Sequence, residues 1–195
     1  LARLVNNSRQ PLQIIFAGKA HPADEAGKHH LQNIFRQALD PRFAGRVAFI
    51  DDYDLHVAHF LVQGCDVWLN NPRKPLEASG TSGMKASMNG TPHLSIGDGW
   101  WAEGFDHTNG WLIEGTPASA SLDDQDAADA DALYTLLEKE IVPAFYERNA
   151  SGIPTRWLSY VRRAIMTVTP QFSTRRMLKD YVEHAYASAV TRDAR

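Results

Sequence analysis

Short apolar runs alternate with segments of helical periodicity along residues 1–120. The first run, "LQIIFAG", is rich in β-branched residues and ends at Gly18, a pattern typical of a strand buried on both faces. The predicted strands are 12–18, 46–50, 65–70, 92–96 and 110–114. Helices are predicted to begin near Pro22 and to span 54–64 and 81–90. This alternation predicts an α/β, Rossmann-like fold, with a mainly parallel sheet and flanking helices.

The pattern becomes entirely helical after residue 120. The segment 121–147 opens with Ser and Asp caps and then carries apolar residues at helical spacing. Residues 154–190 predict two amphipathic helices that divide at Pro170, with Ser173 capping the second.

A single Rossmann-like domain is therefore predicted for residues 1–195, in three parts. An incoming segment spans 1–11, the α/β sheet with its ligand-binding loop spans 12–120, and a helical carboxyl-terminal region spans 121–195. The amino terminus, "LARLVNNSRQ", lacks a starting Met and resembles the end of a preceding helix. We therefore expect the chain to be part of a longer protein.

Composition and charge argue against two classes of partner. Lys and Arg total 20 against 23 Asp and Glu, giving a net charge of −3 without long runs of one sign. Nucleic-acid and membrane-surface roles thus lack electrostatic support. Cys65 is the only cysteine, so an internal disulfide is excluded, and no apolar stretch approaches the ~20 residues of a membrane span. A reducing cytoplasm fits these features best.

The segment "LEASGTSGMKASMNG", residues 76–90, directly follows the third predicted strand. Ligands of open α/β sheets bind outside the carboxyl ends of the strands, so this loop is expected to be functional. Gly80 and Gly83 would let the backbone approach a ligand, and the amides between them open a helix whose positive end suits a phosphate. Lys85 lies about one turn after Thr81, so its amine can reach toward the molecule that carries that phosphate.

A nucleotide P-loop is excluded at this position. The motif requires a lysine directly after its last glycine and then a hydroxyl residue, but Gly83 is followed by Met84 and Lys85 by Ala86. A glycine-rich helix start with one lysine also occurs without any ligand, so the spacing alone leaves both interpretations open.

Other conspicuous residues favour structural roles. His56 and His59 are three apart on a predicted helix, but no further ligand completes a set, so we predict no metal site. Cys65 is interpreted as a small apolar residue, because no activating base is evident. Trp100 and Trp101 either fill the core or line a sugar cleft.

The string "EASGTSGMK" closely resembles the cofactor-lysine segment of the α-glucan phosphorylases, the glycogen and maltodextrin phosphorylase family. Further segments resemble the family in the family's order, namely "FAGKAHP", "IDDYDLHVAHFLVQGCDVWLNNPRKPLEASGTSGMKASMNG", "DGWWAEG", "NGWLI" and "TVTPQFSTRRMLKDYVEHAY". The resemblance covers nearly the whole chain and is strongest to the shorter bacterial and archaeal branch.

The resemblance implies the carboxyl-terminal half of a two-Rossmann-domain glycosyltransferase of the GT-B type. Such an enzyme transfers a glucosyl unit from α-1,4-glucan to phosphate and gives glucose 1-phosphate. It uses pyridoxal 5′-phosphate, whose own phosphate acts as proton donor or electrostatic partner to the substrate phosphate. The implied partners are these substrates, the missing amino-terminal domain and a second copy in a homo-oligomer. The isolated chain is expected to be inactive.

Residue by residue, the resemblance makes Lys85 the lysine that attaches the cofactor covalently. The implied cofactor-binding residues are Lys85, Gly80, Thr81, Ser82, Gly83 and Tyr53. The implied glucosyl-binding residues are Glu77, Ala78, Ser79 and Gly80, with Glu77 and Lys85 essential to catalysis. Two departures matter. The family's phosphate-gripping Arg and Lys belong upstream of the strand at 12–18, and Asp54 stands where the longer animal enzymes carry Arg.

Two alternatives remain open at this point. A nucleotide-sugar-dependent glucan synthase would share the architecture, but it has no use for the lysine at position 85. A noncatalytic carbohydrate-binding or assembly module would retain glucan binding without turnover.

Overall fold

The described residues form five short strands, and the helices between these strands follow in the predicted order. The computed structural model describes residues 2–43, 45–115 and 121–187. The strands are β1 (Ile14–Ala17), β2 (Val47–Ile50), β3 (Trp68–Asn70), β4 (His93–Ile96) and β5 (Gly110–Ile113). The helices are α1 (Ala2–Val5), α2 (Glu25–Ala38), α3 (Leu55–Gly64), α4 (Thr81–Met88), α5 (Trp101–Gly104), α6 (Leu122–Leu136), α7 (Val142–Tyr146), α8 (Thr155–Phe172) and α9 (Thr174–Tyr181). Single-turn π-helical segments, Leu137–Ile141 and Val182–Tyr186, follow α6 and α9.

All strand pairs of the described residues are parallel. β1 pairs with β2 in one sheet, and the order β3-β4-β5 forms a second sheet. Parallel strands joined through helices confirm the predicted α/β class. The hydrogen bonding is divided between a two-stranded and a three-stranded sheet.

The described residues separate into two compact units. The first comprises those within 1–61 and 133–154, and the second those within 62–132 and 155–195. The single domain over 1–195, with its division at 11 and 120, stays a prediction. Segments 116–120 and 188–195 lie outside the described residues. The predicted boundary at residue 120 falls in the first of them, and the end of the last predicted helix falls in the second.

The first unit is built around the β1–β2 pair. Its buried core is Val5, Phe43 and Val47, with Ile14, Phe16 and Ala38 packed against them. α2 begins after Asp24, whose side chain accepts a hydrogen bond from the N–H of Gly27. Such a cap satisfies one of the free amides at a helix start. The Tyr146 hydroxyl donates to the Pro11 carbonyl at 2.6 Å and so ties α7 to the segment before β1.

The second unit is centred on β4, whose four residues are all buried, as a central parallel strand requires. Its main core cluster is Trp100, Trp101 and Val168, with Met84, Met88, Phe105, Leu112 and Phe172 packed against them. Since Val168 and Phe172 belong to α8, this helix closes the core that α4 and β5 line. Trp111 of β5 also stacks on Trp157 of α8 at a centroid distance of 5.8 Å.

The predicted division of the last helices at Pro170 is wrong. Pro170 lies inside α8, which continues to Phe172, and the break falls at Ser173. Proline removes only one helical hydrogen bond this close to the end. The Phe172 ring packs edge-on against Trp100 at 5.2 Å, which holds the final turn in place. Ser173 caps α9 as predicted, because its side chain accepts from the Arg176 N–H.

No helix of the described residues is both long and apolar enough to span a membrane.

Candidate active site

The loop after β3 turns into α4 at Gly80. Gly80 has φ 80° and ψ 45°, a left-handed conformation that residues with a Cβ rarely adopt, and it offers no side chain to cap the helix. Among the described residues, the N–H groups of Thr81 and Ser82 have no hydrogen-bond partner. The Gly83 N–H donates to the Gly80 carbonyl at 3.1 Å. Two free amides at the positive end of an eight-residue helix are an arrangement that suits an anion, and we call these two amides the predicted anion-binding position.

Lys85 lies on α4 one turn beyond Thr81, with its side chain exposed. Within the part of the chain that the structure describes, its amine makes neither a hydrogen bond nor an ion pair. The Cα atoms of Thr81 and Lys85 are separated by about 6 Å along the helix axis, and residues four apart lie on the same face of a helix. A primary amine without a partner therefore belongs to the face of α4 that begins at the predicted anion-binding position.

Gly83 has a role that the sequence reasoning missed. A Cβ at this position would lie 2.5 Å from Cε1 of His93, so only glycine lets α4 approach β4 this closely. Gly83 is buried, and its expected approach to a ligand stays a prediction. No sequence signal connects Gly83 with His93, because the contact depends on how α4 packs over the sheet.

His93 is fully buried beneath the start of α4. Its ring lies 5.0 Å from the Trp100 ring and edge-on to the Trp101 ring at 4.8 Å. Neither ring nitrogen has a partner that meets hydrogen-bond geometry within the described residues. Burial lowers the pKa of His93 to about 3, and the backbone of Trp68 offsets only part of this effect. Trp100 and Trp101 are themselves buried, so these tryptophans fill the core.

We expect His93 to make the folded state sensitive to acid. In the unfolded chain the His93 imidazole has its ordinary pKa of 6.5, whereas in the folded chain its pKa is about 3. The free energy of unfolding should therefore fall as the pH drops through this window, with a contribution of up to about 1.4 kcal/mol per pH unit. Urea unfolding followed by tryptophan fluorescence at several pH values measures the slope.

The variant His93→Phe keeps an aromatic ring at this position but cannot ionise. The pH dependence of its free energy of unfolding should therefore lack the contribution of His93. His107→Asn, at an exposed site of the same unit, controls for the loss of one imidazole. Asparagine tolerates the positive φ of residue 107. Equal slopes for the unaltered chain and His93→Phe would contradict the prediction.

Glu77 is held next to the start of α4 by its backbone. Its N–H donates to Oδ2 of Asp98 at 2.9 Å, and the carbonyl of Ser79 accepts from the Trp100 N–H at 2.9 Å. The Glu77 side chain is half-buried, and its carboxylate makes no hydrogen bond or ion pair with the described residues. Its Oε1 lies 3.6 Å from the position that a Cβ on Gly80 would occupy. A free acceptor thus stands beside the predicted anion-binding position.

The remaining residues predicted to bind sugar or phosphate lie along the same loop. Ala78 and Thr81 are exposed, and Ser79 and Ser82 are half-buried. The structure therefore brings together the predicted residues from Glu77 to Lys85 within the second unit.

Tyr53 belongs to the first unit, where it is half-buried just after β2. Its neighbour Asp52 has φ 47° and accepts a hydrogen bond from Lys19 at 2.8 Å, a contact that lowers the pKa of the Asp52 carboxyl. Asp54 caps α3 by accepting from the Val57 N–H at 2.8 Å.

The other singled-out residues are accounted for by local contacts. His56 and His59 both pack edge-on against Phe60, at 5.0 and 5.6 Å. Burial, together with the nearby Asp66, raises the pKa of the Cys65 thiol. A thiol of that kind is a poor nucleophile.

Comparison with known proteins identifies first the fold and then the family. The carboxyl-terminal domain of a glycosyl transferase group 1 family protein from Francisella tularensis superposes with a TM-score of 0.56 at 18% identity, covering 89% of this chain and 75% of that one. At this identity the likeness concerns the fold alone, which is that of a GT-B carboxyl-terminal domain. The family described as Carbohydrate phosphorylase matches residues 2–106, more than half of the chain. The chain belongs to the carbohydrate phosphorylase family.

Proteins named as phosphorylases are similar to this chain over nearly its whole length. A glycogen phosphorylase of Aquifex aeolicus is 54% identical over 187 residues, which cover 96% of this chain and 27% of that protein. A maltodextrin phosphorylase of Thermococcus litoralis is 45% identical over 190 residues, covering 97% of this chain and 22% of that protein. The chain thus spans about a quarter of the length of these relatives. The resemblance recognised from the sequence is confirmed.

Proposed function

We propose that this chain is the carboxyl-terminal part of an α-1,4-glucan phosphorylase, which transfers a glucosyl unit from glucan to phosphate and releases glucose 1-phosphate. The family membership supports the reaction class. Because the similar proteins are about four times longer, the activity is assigned to a longer enzyme that also supplies the amino-terminal domain. A homo-oligomer and a cytoplasmic location belong to the same proposal. The single cysteine is compatible with that location.

The observation that carries the proposal is the pairing of two free amides with a free lysine amine one turn along α4. Pyridoxal 5′-phosphate carries its aldehyde and its phosphate-bearing methylene on adjacent ring carbons, and these two groups suit an amine and an amide pair that lie about one helical turn apart. The amides and hydroxyls of Thr81 and Ser82 would hold the phosphate, and Lys85 would attach the aldehyde carbon. When bound, the cofactor would supply a phosphate that acts as proton donor or electrostatic partner to the substrate phosphate.

Glu77 would bind the glucosyl unit. Its carboxylate is free, half-buried and next to the start of α4, so it can accept hydrogen bonds from sugar hydroxyls close to the phosphate position. Ala78, Ser79 and Gly80 would form the rest of that wall. Binding the glucosyl unit and the cofactor phosphate with one short loop would fix the sugar relative to the group that assists the substrate phosphate, and such positioning can contribute much to catalysis.

Two further assignments are proposed on the family pattern. Tyr53 would lie near the cofactor ring, and Gly83 would contribute to the phosphate position through its backbone. For Gly83, the packing against His93 supports a different primary role, namely the close approach of α4 to the sheet.

Two other functions compete with this proposal. A nucleotide-sugar-dependent glucan synthase is disfavoured by the family match and by Lys85, which would have no task there. A noncatalytic carbohydrate-binding module would explain the chain in isolation. It would predict glucan binding without any phosphorolysis by the longer enzyme.

The test is phosphate-dependent release of glucose 1-phosphate from glucan, assayed with the longer enzyme and with the 195-residue chain side by side. We expect activity from the longer enzyme and none from the chain alone, because transition-state stabilisation needs groups on the other domain. Both proteins should come from a host that lacks its own phosphorylase. Turnover by the isolated chain would overturn the two-domain assignment, and an inactive longer enzyme that still binds glucan would favour the noncatalytic module.

A further inference from the structure

The turn that follows β4 is hydrogen-bonded to the loop that carries Glu77. This turn, Asp98 to Trp100, makes two backbone-directed hydrogen bonds to it: the Asp98 carboxylate accepts from the Glu77 N–H, and the Trp100 N–H donates to the Ser79 carbonyl, both at 2.9 Å. The two bonds lie on either side of Ala78. They fix both the position and the direction of the loop backbone.

Gly99, at the centre of the turn, sets how closely the loop can approach. Its φ is 54°, in the left-handed region. A Cβ there would lie 2.7 Å from the Ser79 carbonyl oxygen and 2.9 Å from Cγ of Glu77. A methyl group at position 99 would therefore displace the Glu77 side chain and the Ser79 backbone, in addition to straining the turn.

The sheet holds this turn rigidly. β4 is buried along its whole length, and the Asp98 N–H donates back to the Ile96 carbonyl at 2.8 Å. Trp100 is buried, lies against the His93 ring, and has its Cδ1 3.4 Å from the position of a Cβ on Gly80. A continuous set of contacts thus runs from the central strand to Glu77 and Gly80.

The contacts that support Lys85 share the His93 ring with the turn but do not include the residues at its start and centre. α4 is seated on β4 through Gly83 and His93, and its end is seated on α8, where a Cβ on Gly90 would lie 3.2 Å from Cγ1 of Val161. None of these contacts involves Asp98 or Gly99. The sugar-binding part of the loop and the lysine can therefore be perturbed separately.

We propose that Asp98 and Gly99 are positioning residues that act through Glu77 and Ser79, and that they determine the affinity and orientation of the glucosyl unit without affecting attachment of the cofactor. This inference rests on the proposed function. Asp98 contributes a carboxylate acceptor to a backbone amide, a charge-assisted bond that is stronger than one between neutral groups. Gly99 has no side chain, so the loop at Ser79 can lie close to the turn.

The experiment compares Asp98→Ala, Asp98→Asn, Gly99→Ala and Gly152→Ala in the longer enzyme. Asp98→Asn keeps an acceptor oxygen and should rescue most of the loss. Gly152 also has a positive φ, 77°, but open space around it, so Gly152→Ala controls for backbone strain alone. The readouts are the amount of borohydride-trapped cofactor, the Tm, and the kcat and KM for glucose 1-phosphate. The two kinetic constants are measured in the reverse direction, in which glucose 1-phosphate is the substrate and glucan is extended.

We expect Asp98→Ala and Gly99→Ala to lower kcat/KM by about 100-fold, a loss that a misplacement of about 1 Å can cause, with cofactor label at the level of the unaltered enzyme. The kcat/KM of Asp98→Asn and of Gly152→Ala should stay within about threefold of that of the unaltered enzyme. This difference is smaller than the tenfold change that corresponds to about 1.4 kcal/mol.

Each other outcome overturns the inference. Unchanged kcat/KM in Asp98→Ala and Gly99→Ala, in an enzyme that performs phosphorolysis, would overturn it and leave the proposed function standing. Equal loss of cofactor label, or failure of both variants to fold while Gly152→Ala folds, would assign the turn to general structure. An unaltered enzyme that carries cofactor but performs no phosphorolysis would overturn the proposed function and this inference with it.

Discussion

Replacing Lys85 by alanine in the longer enzyme is expected to abolish covalent attachment of pyridoxal 5′-phosphate. The free amine of Lys85 stands about one turn from the unpaired amides of Thr81 and Ser82, so a phosphate bound there places the aldehyde within its reach. Without this amine the imine absorbance and the borohydride-trapped label should both disappear. Phosphorolysis should fall by at least about 100-fold, since a weakly held cofactor is also poorly oriented.

Two control variants separate covalent attachment from charge. Lys85→Arg keeps a positive charge but cannot form the bond, so it should also lose the label. Lys74→Ala removes an exposed lysine from the preceding segment and should keep label and activity. Peptide mapping of the reduced enzyme identifies the labelled residue directly. A label found on Lys19, Lys28 or Lys74 would show that the assignment of Lys85 is wrong.

The strands and the position of the loop that leads from β3 into α4 could be predicted from local patterns. Short apolar runs followed by Gly, Asp or Asn marked all five strands, and their alternation with helices was sufficient to predict the parallel direction. The predicted bounds were longer than the strands, because a run of residues in the sequence does not show where the strand pairing ends. β3, for example, begins at Trp68, although the predicted strand begins at Cys65 and includes the charged Asp66.

Tertiary contacts account for what the sequence could not predict. Pro170 was interpreted as a helix break from its local chemistry alone, but the packing of Phe172 on Trp100 extends α8 past it. The packing role of Gly83 could not be predicted from the sequence either, and its part in ligand binding stays a prediction. The His93 ring that occupies the space above Gly83 comes from the next strand, and a one-dimensional pattern carries no information about that distance.

The supporting residues of the site were missed for a related reason. Asp98 and Gly99 appear in the sequence only as part of "DGWWAEG", which reads as a turn. Their hydrogen bond and close approach to the loop at Glu77 depend on β3 and β4 lying side by side. Residues that touch a ligand can be recognised from a motif, whereas residues that position them are revealed by the fold.

Substituting Glu77 by glutamine should separate sugar binding from cofactor attachment. Glutamine has nearly the same shape and keeps the backbone bond to Asp98, but it replaces a charged acceptor with a neutral one. Hydrogen bonds to a charged group contribute about 1.5 to 3 kcal/mol, so kcat/KM for glucose 1-phosphate should fall by about 10- to 100-fold. The cofactor label on Lys85 should remain, because Glu77 lies outside the amides and the amine that hold it.

Glu103→Gln is the matched control for this substitution, since it makes the same chemical change on an exposed face of α5. It should leave both label and turnover unchanged. Loss of label in Glu77→Gln would mean that this carboxylate supports the cofactor, and an unchanged kcat/KM would remove it from the glucosyl site. A fall in kcat/KM with full label is expected only if the sugar and the anion are bound by separate parts of one loop, with Glu77 at one end and the α4 amides at the other.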